Sequence, residues 1–111
     1  MNTQTSVKTT VVLTGKSGAK YSFVVYARAQ KFNPVGAIYV MSKRLDDGRY
    51  SIIYIGQTGD LSSRPLNHHR TACFDKHGAD HLLIHVEQDA KKRLAIETDL
   101  IQAYQPPCNG Q

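Results

Sequence analysis

Residues 37–58, "AIYVMSKRLDDGRYSIIYIGQT", carry two apolar, β-branched and aromatic runs on either side of a polar segment. Asp47-Gly48 within that segment is a strong hairpin-turn signal, so the runs are expected to pair as antiparallel strands. With those two residues as the turn, Tyr39 faces Gly56 and Tyr54 faces Met41. Both tyrosines then project from one sheet face as diagonal neighbours, and Gly56 leaves open space beside Tyr39. A slip of one residue would separate the two rings.

Towards the N-terminus, "TTVVLTGKSGAKYSFVVYA" (9–27) reads as a second hairpin turning through Gly15–Gly18. Its "GKS" is not a phosphate loop. That loop needs a glycine where Thr10 stands and a helix where a strand pattern follows. "KFNPVG" (31–36) is a connector, punctuated by Pro34 and Gly36.

Towards the C-terminus, a helix is expected at about 61–70, capped by Ser62 or Ser63, with Pro65 tolerated only in its first turn. Arg64 and His68 lie four apart on one face of it. Residues 71–79 read as irregular. "HLLIHVE" (81–87) reads as a third core strand, and Asp89 caps a last helix at about 90–104. The prolines of "QPPCNGQ" forbid further helix. The order implies an α+β fold, a small central antiparallel sheet flanked by helices with an additional N-terminal hairpin. Residues 1–35 form a basic extension and 36–111 the core, within one compact domain.

In "RLAIETDLIQAY" (93–104), helical spacing puts Ala90, Leu94, Ile101 and Tyr104 on one stripe, which Ile96 and Leu100 extend. Glu97 falls inside that stripe, where desolvation of a carboxylate costs several kcal/mol unless a cation or hydrogen bonds compensate.

Hydrophobic content of 41% and charged content of 21% are ordinary for a folded domain and argue against disorder. No apolar run approaches a membrane span, and "MNTQTSVKTT" has no signal-peptide core. Cys73 and Cys108 lack metal-type spacing, and are expected to be reduced in a cytoplasmic protein without a disulfide framework. The net charge of +5 is located: residues 1–35 hold Lys8, Lys16, Lys20, Arg28 and Lys31 and no acid. The remainder is balanced. A one-signed segment points to a polyanion, with nucleic acid the leading candidate and a solvated edge the plain alternative.

Five histidines (68, 69, 77, 81 and 85) lie close together. His81 and His85 share a strand face, but about 13 Å separates them at strand rise, too far for one zinc ion.

Tyr39 in "AIY", Tyr54 in "YIG", Arg64, His68, Glu97 and Asn109 occur in that order. This set resembles the GIY-YIG nuclease family, over about residues 36–109. The first motif begins with Ala37 rather than Gly, at a position where family members vary. His77 stands in a loop where some members carry a second functional histidine. The resemblance implies a DNA endonuclease that hydrolyses phosphodiester bonds with one divalent cation, Mg²⁺ or Mn²⁺, leaving 5′-phosphate and 3′-hydroxyl ends.

Under that resemblance Glu97 is the metal's protein ligand, as suits a hard cation that takes few carboxylates and keeps its waters. Arg64 offers a planar, permanently charged fork to the phosphate. Tyr39 is the candidate to take the proton of the attacking water. A free phenol is ionised only to about one part in a thousand at pH 7, so it needs a nearby cation or a relay through His68. Tyr54 carries more of the weight of an ordinary packing aromatic. Asn109 either bonds backbone near the metal or holds the C-terminal segment. Lys8, Lys16, Lys20, Arg28 and Lys31 are the expected DNA contacts. Weak sequence preference and a monomer or weak dimer, with room for a targeting partner, complete the expectation. The competing reading is a catalytically inactive nucleic-acid-binding module of the same fold.

Overall fold

The computed structural model describes residues 9–63 and 69–109. Thr10–Thr14 (β1) and Lys20–Ala27 (β2) form the expected N-terminal hairpin, with Thr14 opposite Lys20. Gly18 adopts φ +91°, which glycine reaches without steric cost.

Ala37–Arg44 (β3) and Tyr50–Thr58 (β4) pair antiparallel, with Tyr39 opposite Gly56 and Met41 opposite Tyr54. The register is the expected one, but the chain reaches it differently. The Leu45 N–H donates to the Arg49 carbonyl at 2.8 Å, and the Gly48 N–H donates to the Leu45 carbonyl at 2.9 Å. With Gly48 at φ +89°, the loop holds three residues, Asp46–Gly48, not two. This puts Arg44 opposite Tyr50, one residue from the position a two-residue turn gives. An irregularity between Met41 and Ser42, where β4 contributes Ile53 as an extra residue, shifts the pairing back before the tyrosines.

His81–Val86 (β5) lies between β2 and β3, giving a five-stranded antiparallel sheet in the order β1-β2-β5-β3-β4. The N-terminal hairpin therefore lengthens the central sheet. Ala90–Tyr104 (α2) covers one face, where Ile96 and Leu100 pack with Leu13, Phe23, Ile38, Val40, Ile55 and Leu83. The other face packs Tyr39, Met41, Leu82 and Ile84 with Leu61, Phe74 and Cys108. β3 is buried from Ala37 to Ser42, which accounts for its apolar residues on both faces.

Four expectations are corrected. Thr71–Lys76 is a helix (α1), not irregular chain; it buries Phe74, but six residues are too few to show a period. The N-terminal part of the expected helix at 61–70 is a 3₁₀ turn, Leu61–Ser63, capped not by serine but by Asp60, whose carboxylate accepts from the Ser62 N–H at 3.0 Å. Residues 64–68 lie outside the described residues.

The phase of α2 also differs. Its inward residues are Arg93, Ile96 and Leu100, whereas Leu94 is 56% exposed and Tyr104 faces outward. Arg93 sets this phase. Its Nη1 donates to the carbonyls of Glu87 (3.1 Å) and Gln88 (2.9 Å), and its Nε donates to Gln57 Oε1 (3.0 Å). A charged residue at an inward position escapes a count of apolar residues.

The fourth correction is chemical. Cys73 and Cys108 form a disulfide, with Cα atoms 5.9 Å apart. Sequence spacing gave no hint because the fold, not proximity along the chain, brings them together. Closing a loop of this length is worth about 3–4 kcal/mol by chain entropy. Paired in this way, Cys73 and Cys108 do not place the protein in a reducing compartment. Among the described residues no helix is long and apolar enough to cross a membrane.

Candidate active site

The site is organised around the outer edge of β4. Tyr39 projects from β3 across its partner: a Cβ added at Gly56 would lie 2.6 Å from Tyr39 Cζ, 2.7 Å from its hydroxyl oxygen and 2.8 Å from Tyr54 Cε2. The phenol of Tyr39 occupies the space that glycine leaves, so its hydroxyl lies over β4. The Tyr39 and Tyr54 ring centroids are 6.0 Å apart, and Tyr54 lies tilted against Phe74 at 5.3 Å. Tyr39 is 2% exposed and Tyr54 half-buried.

Glu97 approaches β4 from α2, on the sheet face opposite the two tyrosines. Burial holds its carboxyl above the usual carboxylate range, opposed by the backbone amide of Gln57. Gln57 follows Gly56, so Tyr39 and Glu97 meet adjacent residues of one strand. Arg93, one turn before Glu97, is the natural helix partner for it. Yet Arg93 commits its Nε and Nη1 to Gln57 and to the 87–88 carbonyls, and no described ion pair includes Glu97. The half-buried carboxylate therefore has no cation among the described residues.

Asn109 completes the edge. Its Oδ1 accepts from the Ile55 N–H and its Nδ2 donates to the Ile55 carbonyl, both at 2.8 Å. One residue earlier, the Cys108 N–H donates to the Ile53 carbonyl at 3.0 Å. The C-terminal turn thus pairs with β4 as a short strand would, protecting an otherwise open edge. Of the two roles expected for Asn109, this arrangement is the one that holds the C-terminal segment.

Tyr39, Tyr54 and the C-terminal turn of Asn109 come together at β4, whereas Glu97 touches the Gln57 amide of β4 from α2, which covers the opposite face of the sheet. Arg64 and His68 lie outside the described residues, as does Lys8. Lys16, Lys20 and Lys31 are exposed, whereas Arg28 spends its charge on Asp75 (2.8 Å) and donates to the Ala79 carbonyl (3.1 Å). His81 and His85 are engaged separately, with Asp80 and with the Ser22 carbonyl. His77 is exposed at the end of α1, beside the disulfide.

Whether this edge suits a divalent cation can be judged from its donors. A lone carboxylate, half desolvated and without a cation among its described neighbours, matches the sparse protein ligation of Mg²⁺ or Mn²⁺. Sequence reading missed Arg93, whose inward position leaves no apolar signal, and Asp99, which fastens the N-terminal hairpin. The Asp99 carboxylate accepts from the Ser17 N–H (2.9 Å), Ser17 Oγ (2.7 Å) and the Tyr21 hydroxyl (2.8 Å). No protein-family model, curated protein or solved structure matches the chain.

Proposed function

We propose that the protein is a metal-dependent DNA endonuclease that hydrolyses phosphodiester bonds at the β4 edge, leaving 5′-phosphate and 3′-hydroxyl ends. The observation that carries this reading is Glu97: a carboxylate kept half-buried while its nearest helical cation is turned to other partners. A structural acid would gain from pairing with Arg93; a ligand must stay unpaired until its cation arrives. Mg²⁺ or Mn²⁺ held there would supply positive charge to a phosphate that gains charge in the transition state.

The protein's own groups then divide the work. Tyr39 offers a hydroxyl over β4, oriented by its seat over Gly56 and by Tyr54, to accept a proton from the attacking water. Asn109 keeps the C-terminal turn on Ile55, so that the edge stays closed to competing strands. Arg64 and His68, from the segment after the 3₁₀ turn, are assigned phosphate binding and proton relay by their resemblance alone. Lys16 and Lys20 of the hairpin and Lys31 of the connector give the N-terminal third its exposed positive charge for the DNA backbone. With so small a site, sequence preference is weak.

Supercoiled-plasmid nicking tests the reading, with Mg²⁺, with EDTA, and with Glu97→Gln purified in parallel. Nicking that requires both metal and Glu97 is the expected result. Equal silence of wild type and variant with Mg²⁺ and with Mn²⁺ would remove the enzyme reading, and a gel shift on the same DNA would then test the binding module.

A further inference from the structure

The ligand atoms of Cys73, His77 and Cys108 lie within 4.8 Å of one another. Cys73 and His77 are four residues apart at the end of α1, and Cys108 arrives from the C-terminal turn. We infer that reduction of the Cys73–Cys108 disulfide converts this cluster into a thiolate–imidazole site for Zn²⁺. The inference is independent of the nuclease reading.

Two thiolates and an imidazole are the donors that Zn²⁺ prefers, and three protein ligands with one open position is an established zinc arrangement. The geometry is close to what the ion needs. Two Zn–S bonds of about 2.3 Å at a tetrahedral angle set the sulfurs about 3.8 Å apart. With Cα atoms 5.9 Å apart, side-chain rotation can open the sulfurs that far once their bond is broken. The charge also balances, because two thiolates neutralise the dication. That matters for Cys108, which is buried against the core. Cys73 is half-buried and His77 exposed, so a reductant and then the ion have a path from the α1 side.

A small dithiol gives up two electrons and two protons and closes to its own disulfide. The protein disulfide becomes two thiols, and Zn²⁺ displaces their protons on binding. In both states the C-terminal turn stays tied to α1, by a covalent bond or through the ion. Asn109 therefore keeps its place on Ile55 in an oxidising or a reducing compartment.

The test is titration of the full chain with Co²⁺, a spectroscopic stand-in for Zn²⁺, followed by competition with Zn²⁺. Three samples are compared: oxidised protein, dithiol-reduced protein freed of reductant, and reduced His77→Ala. The reduced protein is expected to take one Co²⁺ with sulfur-to-cobalt charge-transfer absorption that Zn²⁺ abolishes, and the oxidised protein to show none. His77→Ala alters an exposed helix-end side chain and retains both cysteines. It should weaken affinity by more than the roughly 10–100-fold that loss of a mere outer-shell partner costs. Absence of the absorption after reduction, or an affinity that His77→Ala leaves unchanged, overturns the inference.

Discussion

Gln57 faces both Arg93 and Glu97: its side-chain oxygen accepts from the arginine, while its backbone amide opposes the upward shift of the glutamate. The two charges lie one helical turn apart, and no described ion pair joins them. A consequence for stability follows. Glu97 has a carboxyl raised in the folded state, so folding disfavours its ionised form. The penalty is absent below the unfolded value of about 4.3, grows as pH rises to the folded value, and is constant above it. Glu97→Gln should therefore abolish nicking yet raise the melting temperature at pH 7. The gain should vanish below about pH 4. Thermal melts of both proteins at pH 7 and near pH 3.5 measure this. A variant less stable at neutral pH would mean that Glu97 has a structural partner.

Gly56→Ala tests the seat of Tyr39. The new methyl would stand 2.6 Å from one ring and 2.8 Å from the other, so the rings must move. Overpacking of this kind costs about 1–3 kcal/mol. Because the displaced ring carries the candidate base, nicking should fall further than the lost stability explains at a temperature where the variant is folded. Denaturant unfolding and nicking of one preparation separate the two effects.

Asn109→Ala should lower stability by about 1–3 kcal/mol, the net worth of two intramolecular hydrogen bonds. Asn109→Asp is the sharper variant. It retains an acceptor for the Ile55 N–H but sets an oxygen against the Ile55 carbonyl. Asp should therefore cost at least as much as Ala, by chemical denaturation under oxidising conditions. An Asp variant close to wild type would contradict the paired geometry.

The register was legible because Tyr39, Gly56 and the Asp47-Gly48 turn are local features of one hairpin. Its agreement with the structure still depended on two compensating departures, a longer loop and the extra residue Ile53, neither of which a strand pattern displays. The positions of Tyr39, Tyr54 and Glu97 on the chain could be read, but not the meeting of Glu97 with the Gln57 amide of β4. That meeting depends on the phase of α2, and Arg93 fixes the phase through contacts with residues 57, 87 and 88. The disulfide was illegible for a related reason, since its partners come from a six-residue helix and a terminal turn.

Asp99 fixes the hairpin turn to α2, and hydrogen bonds from Ser17 and Tyr21 hold its carboxyl below the usual carboxylate range. A depressed carboxylate contributes stability that is present above its unfolded value of about 3.9 and lost as pH falls through the folded value. The turn should therefore undock below about pH 4. Protection of the Ser17 amide from hydrogen exchange, relative to its intrinsic rate, should fall there, and at neutral pH in Asp99→Ala. Equal protection of Ser17 in wild type and variant at pH 7 would show that the carboxylate does not hold the turn.

The placement of β1 and β2 inside the sheet decides how DNA contact by the N-terminal third must be tested. Removing residues 1–30 would strip Leu13 and Phe23 from the core, so loss of binding by that truncation would report unfolding. Charge substitution avoids this. Lys16, Lys20 and Lys31 are exposed, and Arg28 is already paired with Asp75. The triple variant Lys16→Gln, Lys20→Gln and Lys31→Gln should retain its melting temperature within about 1 kcal/mol equivalent of wild type, as surface changes usually do. On duplex DNA, each lysine that neutralises a phosphate contributes about 0.9 to the slope of log affinity against log salt. The variant should therefore bind more weakly at low salt, with a slope shallower by about 2–3 if all three face the backbone. Arg28→Gln, by contrast, should leave the slope unchanged and lower stability instead. An identical slope for the triple variant and the wild type would assign the positive charge of the hairpin to solubility rather than to DNA.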